Sequence, residues 1–516
     1  MNFRLARIWR SLIRPTRFTG IAAGADRHMR RTVPILLLIG MVLSGNQPSI
    51  ARPTQWASSG YASNSSSGQM NATSVMSTTL SAGQTQSLLP LFASGLRLGP
   101  ALPTLLGLHA PQTYLILVQN NQELRATGGF ISALGKVTID KAKVVDLDFT
   151  DSYNLFHDGG QYPPAPVPMQ RYMGIPLLLL RDANWSPDFP TTAKLIKALY
   201  AQETGMTVDG IITVDLHAVE LIIDALGAIE IAGASEPLTG ANLVEQVQQF
   251  WNQPLATGAT ITTTGLGEWW GQRKDFIPAV AQGVLGRLQS GDVDYFGLLR
   301  GAQAALNERA VQIWMADPMA AAQLGELGWD GSLQPEPDSD FLALVDTNMG
   351  YNKVNAVVKP VLDYTVTWPA DTTQPGLATA TITYTHPITQ PDPVCQATPY
   401  YGETYADMIE RCYFNYVRLY TPGGSKLIGV EGVDPDSVSS GRGEHNLRLF
   451  AGYFILHPGE QRVVTFRYAL PAHLKPDGYT LVMQRQSGAS PLPLTVRIQE
   501  NEMVTRLVDG RLEWAR

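Results

Sequence analysis

Apolar residues along this chain change their spacing near residue 335, and that change divides the folded part of the sequence in two. Upstream, continuous apolar runs of strand length alternate with stretches whose apolar positions recur every three to four residues, the pattern of strands interleaved with helices. Tyr114–Val118 is such a run, as expected for a buried central strand, and extended segments follow at about 130–139 and 143–149. Thr191 or Thr192 is placed to cap a helix that carries Ala193, Ile196, Leu199 and Tyr200 on one face, with Gly205 ending it. Val208–Val214 then reads as a strand and Asp215 as the cap of a helix carrying Val219, Leu221, Ile222 and Leu226. Gly227 stops that helix, and Ala228–Ile231 is expected to start another strand. Further helices are predicted over about 241–252, 275–290 and 295–308.

Beyond Pro335-Glu336-Pro337 the spacing becomes two. Asp363–Trp368, Ala378–Tyr384, Tyr416–Tyr420, Val463–Tyr468 and Tyr479–Met483 alternate apolar and polar positions and are separated by Pro/Gly turns. Many short alternating strands without helices predict an all-β sandwich of immunoglobulin or fibronectin type over 338–516, after an α/β domain over 111–335.

The first 110 residues belong to neither pattern. Eight arginines against one acid over residues 1–31 lead into the apolar stretch Val33–Leu43 and then Ser49-Ile50-Ala51, an arrangement that reads as an export signal over 1–51. An apolar core of about 11 residues is short of the roughly 20 needed to span a bilayer, which favours cleavage over retention as an N-terminal membrane anchor. Residues 52–110 are expected to form a Ser/Thr/Gly-rich tether and a proline-broken collar, because the tether has too little apolar surface to offset the entropy of ordering it. The overall charge of −7 hides +7 in the first 31 residues and −14 beyond, which disfavours a nucleic-acid groove.

The two cysteines, Cys395 and Cys412, lie 17 positions apart in one Pro/Tyr/Gly-rich region. In an exported chain this predicts a disulfide clipping a surface loop. A metal site is not expected there, since neither cysteine has a second Cys or a His at ligand spacing. No Gly-x-Ser-x-Gly elbow, His-Glu-x-x-His, Walker loop or dinucleotide fingerprint occurs, and the histidines are scattered.

Three arginines stand beside element ends. Arg125 follows the buried strand in Gln119–Phe130, where the Gly128-Gly129 pair would let backbone amides approach an anion. Arg181 follows an apolar run, and Arg273 precedes a helix together with Lys274 and Asp275. Converging guanidiniums suit a pyrophosphate. The alternative is that Arg181 with Asp182, and Arg273 with Asp275, are ion pairs within the fold.

The segments Gln119–Ile131, Leu180–Pro190, Thr207–Ile211 and Asp346–Lys353 resemble the hallmark blocks of a bacterial family known as domain-of-unknown-function 4012. A weaker likeness, over about 111–290, is to the LytR-CpsA-Psr glycopolymer transferases, carried by Val208–Ile231, Arg181-Asp182 and Arg273–Asp275. That likeness implies a LytR-CpsA-Psr-like α/β (α+β) fold and ligand-binding roles for Asn120, Asn121, Arg125, Arg181 and Arg273. It also implies that Asp182 or Asp275 orients an arginine or holds Mg²⁺. The family's acidic and basic residues after the first strand appear here as Asn120 and Asn121, with Glu123 and Arg125 displaced. The expected function is therefore an extracytoplasmic cell-envelope protein, secreted or held at the outer face of the cytoplasmic membrane. It would bind a polyprenyl-pyrophosphate-linked glycan and transfer it to the cell wall, or act without catalysis as a glycan- or lipid-binding or structural protein. The partner in either case is a lipid-linked glycan or cell-wall polymer.

Overall fold

The computed structural model describes residues 93–157, 159–231, 234–252, 276–291, 293–371, 373–399 and 404–515. The export signal, most of the tether, Arg273 and Asp275 lie outside the described residues.

The collar packs rather than dangles. Pro100 and Pro103 open short helical turns, the second being α1 (Leu102–Leu105), and Leu98, Leu102, Leu105 and Leu106 bury against Tyr114, Val137 and Ile139. Those partners belong to a five-stranded sheet built from β1 (Gln112–Asn120), β2 (Phe130–Asp140), β3 (Lys143–Asp151), β4 (Gly210–Val214) and β5 (Val311–Met315), in the order β3-β2-β1-β4-β5. Only the β1–β4 pair is parallel. One face carries the collar, together with Leu306, Ala320 and Leu324 from the helices that flank β5. The other carries α2 (Val167–Met173) and α3 (Phe189–Thr204), whose Phe189, Ala193, Ile196, Leu199 and Tyr200 meet Leu115, Leu117 and Ile131.

The apolar face of α3 is the one its spacing predicts, but its cap is Asp188, which accepts from the Thr191 backbone N–H at 3.2 Å. Pro190 in the first turn has no N–H to satisfy and is pre-set for helix, so the start moves upstream of the threonines. Thr192 instead donates its hydroxyl to the Ser186 carbonyl. Gly205 ends the helix at φ 70°, as expected. Asp215 caps α4 (Leu216–Leu226) through the Ala218 N–H at 2.9 Å, and Gly227 follows it.

Ala228–Ile231 does not become a strand. It makes one isolated bridge, Ile229 to Leu238, and its isoleucines bury among α4, α5 (Leu243–Asn252), α6 (Phe276–Gln289) and α7 (Tyr295–Asn307). Two isoleucines flanking an exposed Glu230 carry no information about whether sheet or helices will cover them. The sheet is completed instead by β5, followed by α8 (Pro318–Glu326).

The C-terminal region holds two six-stranded, mostly antiparallel sheets facing each other across one core; among the described residues there is no closed barrel. The first comprises β7 (Lys359–Thr367), β8 (Leu377–Thr385), β10 (Lys426–Glu431), β13 (Gln461–Ala469), β15 (Leu492–Ile498) and β16 (Asn501–Leu507). The second comprises β6 (Asp340–Asn348), β9 (Tyr413–Thr421), β11 (Ser439–Arg442), β12 (Arg448–Leu456), β14 (Thr480–Gln484) and β17 (Arg511–Ala515). Strands β7, β8 and β13 alternate buried and open positions, which is why spacing revealed them. By contrast β6 and β9 are buried at every position. Along β6, Leu342 and Leu344 enter the core between the sheets, whereas Phe341, Ala343 and Val345 enter a separate cluster with Ala126 and Leu333 of the α/β domain. The second sheet therefore has a buried interface on both faces. Covered in this way, β6 shows no alternation to read, whereas β9 keeps a readable pattern because Arg418, packed on Trp185, interrupts its apolar positions.

Candidate functional site

Strand β1 ends at Asn120, whose side chain accepts from the Gln122 N–H at 3.1 Å and turns the chain. Phe130 N then bonds the Glu123 carbonyl, closing a tight loop around Arg125. Two glycines are required there by their neighbours. A Cβ on Gly129 would lie 2.1 Å from the Asn120 carbonyl oxygen, and Gly128 sits at φ +139° with the Gln119 side chain against it. The pair thus serves close backbone packing within the loop and against Gly488, whose own added Cβ would fall 2.0 Å from the Gly128 oxygen.

Arg125 is 2% exposed. Its Nη2 meets Glu123 Oε1 at 3.0 Å, and its Nη1 donates to the Asn348 carbonyl at 2.5 Å. Asn121, four residues earlier, is half-buried. Asp182, in a 3₁₀ turn over Leu180–Asp182, is buried close enough to feel both Arg125 and Arg181. Burial pushes its carboxyl above the usual range, and the two guanidiniums, Arg125 first, pull it back. Arg181 approaches Asp182 with Nε at 3.6 Å, and its guanidinium lies 4.5 Å above the Tyr153 ring. Three of the predicted residues, Arg125, Arg181 and Asp182, are therefore brought together by the fold. Arg125 is committed to protein partners, while Arg181 keeps an open side.

A divalent cation does not fit this arrangement. Asp182 faces two cations, and among the described residues no group of three His, Cys, Asp or Glu ligand atoms close enough for a metal includes it.

Beside Arg181 lies a patch that reading by spacing did not find. Tyr153 and Phe156 are exposed, Phe156 stacks on Tyr162 at 5.6 Å, and Tyr153 meets Phe130 at 6.1 Å. Glu203, buried at the end of α3, anchors the patch: it accepts from the Tyr162 hydroxyl and pairs with His157 Nδ1 at 2.5 Å. Burial, followed by the bond to Glu203, raises the Tyr162 hydroxyl pKa, and Arg181 counteracts. The signal available in sequence was three aromatics at 153, 156 and 162 in one loop. Glu203, 41 positions beyond Tyr162, had none. A surface depression lined by Thr113, Lys136, Thr138, Tyr200 and Val208 contains none of the predicted side chains.

Three of the four segments that carried the family likeness converge on the junction of the two regions, while Thr207–Ile211 enters β4 beside the start of β1. From Leu180–Pro190, Trp185 lies 4.2 Å from the Arg418 guanidinium and its carbonyl accepts from Arg418 Nη1, while Asp188 accepts from Leu333 N and pairs with His445 Nε2. From Asp346–Lys353, the Asn348 amide donates to Asn352 and Asn355. The Asp346 backbone is held by Gln486, which also bonds the Arg125 carbonyl.

The molecule is thus a mixed α/β domain joined through a buried polar seam to antiparallel-rich sheets. Residues 109–250 match the family described as "Protein of unknown function (DUF4012)". Among solved structures, a Listeria innocua protein, Lin1025, is similar at 12% identity and TM-score 0.24, over 45% of this chain and 85% of that one. No curated protein matches. These matches lend no support to the LytR-CpsA-Psr likeness.

Proposed function

We propose that this chain is a non-catalytic extracytoplasmic protein that binds a cell-envelope glycan on the patch formed by Tyr153, Phe156, Tyr162 and Arg181. The observation that carries the reading is the Arg181 guanidinium resting on the part-exposed Tyr153 ring, beside a second stacked aromatic pair. Exposed rings held in fixed orientation offer flat apolar faces to sugar rings, and a guanidinium donates to ring hydroxyls or acidic substituents. Glu203 and Asp182 hold these groups in place from below. In this reading the C-terminal sheets act as an immunoglobulin-like sandwich that projects outward from the α/β domain. Transfer of a lipid-linked glycan is the less supported reading, because Arg125 is spent on Glu123 and Asn348.

Affinity electrophoresis of the full chain through gels containing a polyuronate or a neutral dextran tests this. Retardation is expected, and it should be lost in Tyr153→Ala and Arg181→Ala. Absence of retardation in both gels, or equal retardation of the variants, sinks the proposal. Mg²⁺-dependent binding to vesicles carrying a polyprenyl pyrophosphate, with no glycan binding, would favour the transferase instead.

A further inference from the structure

Cys395 and Cys412 are joined in a disulfide with Cα atoms 5.1 Å apart, the pairing their spacing predicts. The fold adds a third residue that no spacing could show. Strand β9 begins at Tyr413, opposite Leu456 at the end of β12, so Cys412 stands one step beyond the ladder beside His457. The ligand atoms of Cys395, Cys412 and His457 all lie within 4.8 Å of one another. His457 opens the turn that links β12 to β13, and Glu460 in the same turn faces its Nδ1 at 3.2 Å. His386 secures both sides of the cluster. Its backbone N–H donates to the Glu460 carbonyl at 2.9 Å, its carbonyl accepts from Gly459, and its ring Nε2 bonds the Arg411 carbonyl at 3.0 Å.

We infer that this cluster is a redox-gated site for a zinc-class divalent ion, closed while the disulfide is intact and opened by its reduction. Two thiolates and an imidazole are a soft donor set suited to such an ion, with the fourth position left to water. A carboxylate on one imidazole nitrogen holds the proton there and leaves the other nitrogen's lone pair for the metal, which is the role of Glu460 as a positioning residue. The opening step is thiol–disulfide exchange with a dithiol. The dithiol is oxidised to its own disulfide, the Cys395–Cys412 bond takes two electrons and two protons, and each thiol releases its proton to solvent as its sulfur takes the metal. Cys412 is buried and Cys395 half-buried, so the incoming dithiol attacks from the Cys395 side.

The test uses the full chain, reduced with a dithiol, desalted under argon and titrated with Co²⁺. One Co²⁺ per chain with a sulfur-to-cobalt charge-transfer band is expected, displaced by Zn²⁺ and absent in the oxidised chain. His457→Ala should weaken binding at least tenfold, and Glu460→Gln by about tenfold. The reduced chain must also keep its far-ultraviolet circular dichroism. Loss of that signal, cobalt uptake no greater than in the double Cys→Ser chain, or wild-type affinity in His457→Ala overturns the inference.

Discussion

The Arg125 guanidinium donates to the backbone carbonyl of Asn348 at 2.5 Å, across 223 residues of sequence. This bond joins the loop after β1 to the end of β6, and Leu124 accepts from Asn348 N at the same strand end and donates to Asn355 in the turn that follows. Replacing Arg125 by Ala leaves Glu123 and Asp182 in a buried seam without their shared cation. Breaking a buried pair in this way typically costs about 3 to 5 kcal/mol. Arg125→Lys should recover little, because one ammonium cannot serve Glu123 and Asn348 in the fork geometry of the guanidinium. Urea unfolding should show one transition in wild type, moved to much lower denaturant in Arg125→Ala. A variant within about 1 kcal/mol of wild type would mean that the seam does not depend on this residue.

Gly488 tests the same seam from the other side. It sits at φ +74°, and an added Cβ would fall 2.0 Å from the Gly128 carbonyl oxygen, a backbone atom that cannot swing away. Thr127 and Ser487 form a bridge one residue earlier, so the two backbones must part if the side chain is to fit. Gly488→Ala pays left-handed strain of roughly 1 kcal/mol as well as this clash. The variant should be markedly less stable and should separate the unfolding of the two regions into two calorimetric transitions. Gly286→Ala, in a helix with open space around it, serves as the control and should be neutral or slightly stabilising.

Many of the strands and helices legible in the sequence have one wet face, although β9, read from Tyr416–Tyr420, is buried at every position and was legible because Arg418, packed on Trp185, interrupts its apolar positions. Alternation along β7, β8 and β13, and the three-to-four spacing of α3, reflect burial on one side only. Strand β6 escaped because both its faces are covered, and Ala228–Ile231 misled because helices rather than a sheet bury it. The site divides along the same line. Arg125, Arg181 and Asp182 were recognisable as residues beside element ends, but whether a guanidinium faces solvent or a distant carbonyl is decided by Asn348, far along the chain. Spacing could not show His457 beside Cys412 for the same reason, since β-sheet register creates that contact.

The Cys395–Cys412 bond closes a loop of 17 residues next to the start of β9. Loop closure of this size predicts about 3 kcal/mol of stabilisation. The double Cys→Ser chain should unfold at lower denaturant by that amount while retaining its strand content, because the core between the sheets draws on residues far from the loop. An unchanged midpoint would show that the loop is ordered without the bond.

Stability should also decline between mildly acidic and mildly alkaline pH, the opposite of what a chain stabilised by paired carboxylates would show. Asp215 is pushed up to about 7, and Asp340 and Asp346 to about 6, in each case chiefly by burial. Hydrogen bonds from the Ala218 backbone to Asp215, from Tyr364 and Tyr479 to Asp340, and from Asn415 and Tyr384 to Asp346 only partly offset it. A carboxyl whose folded pKa is raised binds more protons in the native state, so its stabilisation is complete below the unfolded value and is lost as pH rises through the folded one. His217, pushed up to about 10 by Glu220 and Glu308, follows the same sign: its contribution is full below the unfolded imidazole range and disappears on the way to pH 10. Asp188 and Glu308 act in the opposite sense. Their bonds to His445, Thr191 and His217 lower their pKa values, so their contribution holds above the usual carboxyl range and is lost on acidification. The maximum therefore falls between these windows, in the ordinary carboxyl range at about pH 4. Thermal melts should give a Tm several degrees higher at pH 5 than at pH 8. Asp346→Asn should shrink that gap, since the amide needs no proton and still accepts from Tyr384. A Tm that rises from pH 5 to pH 8 would show that these three carboxyls are ionised in the fold without cost.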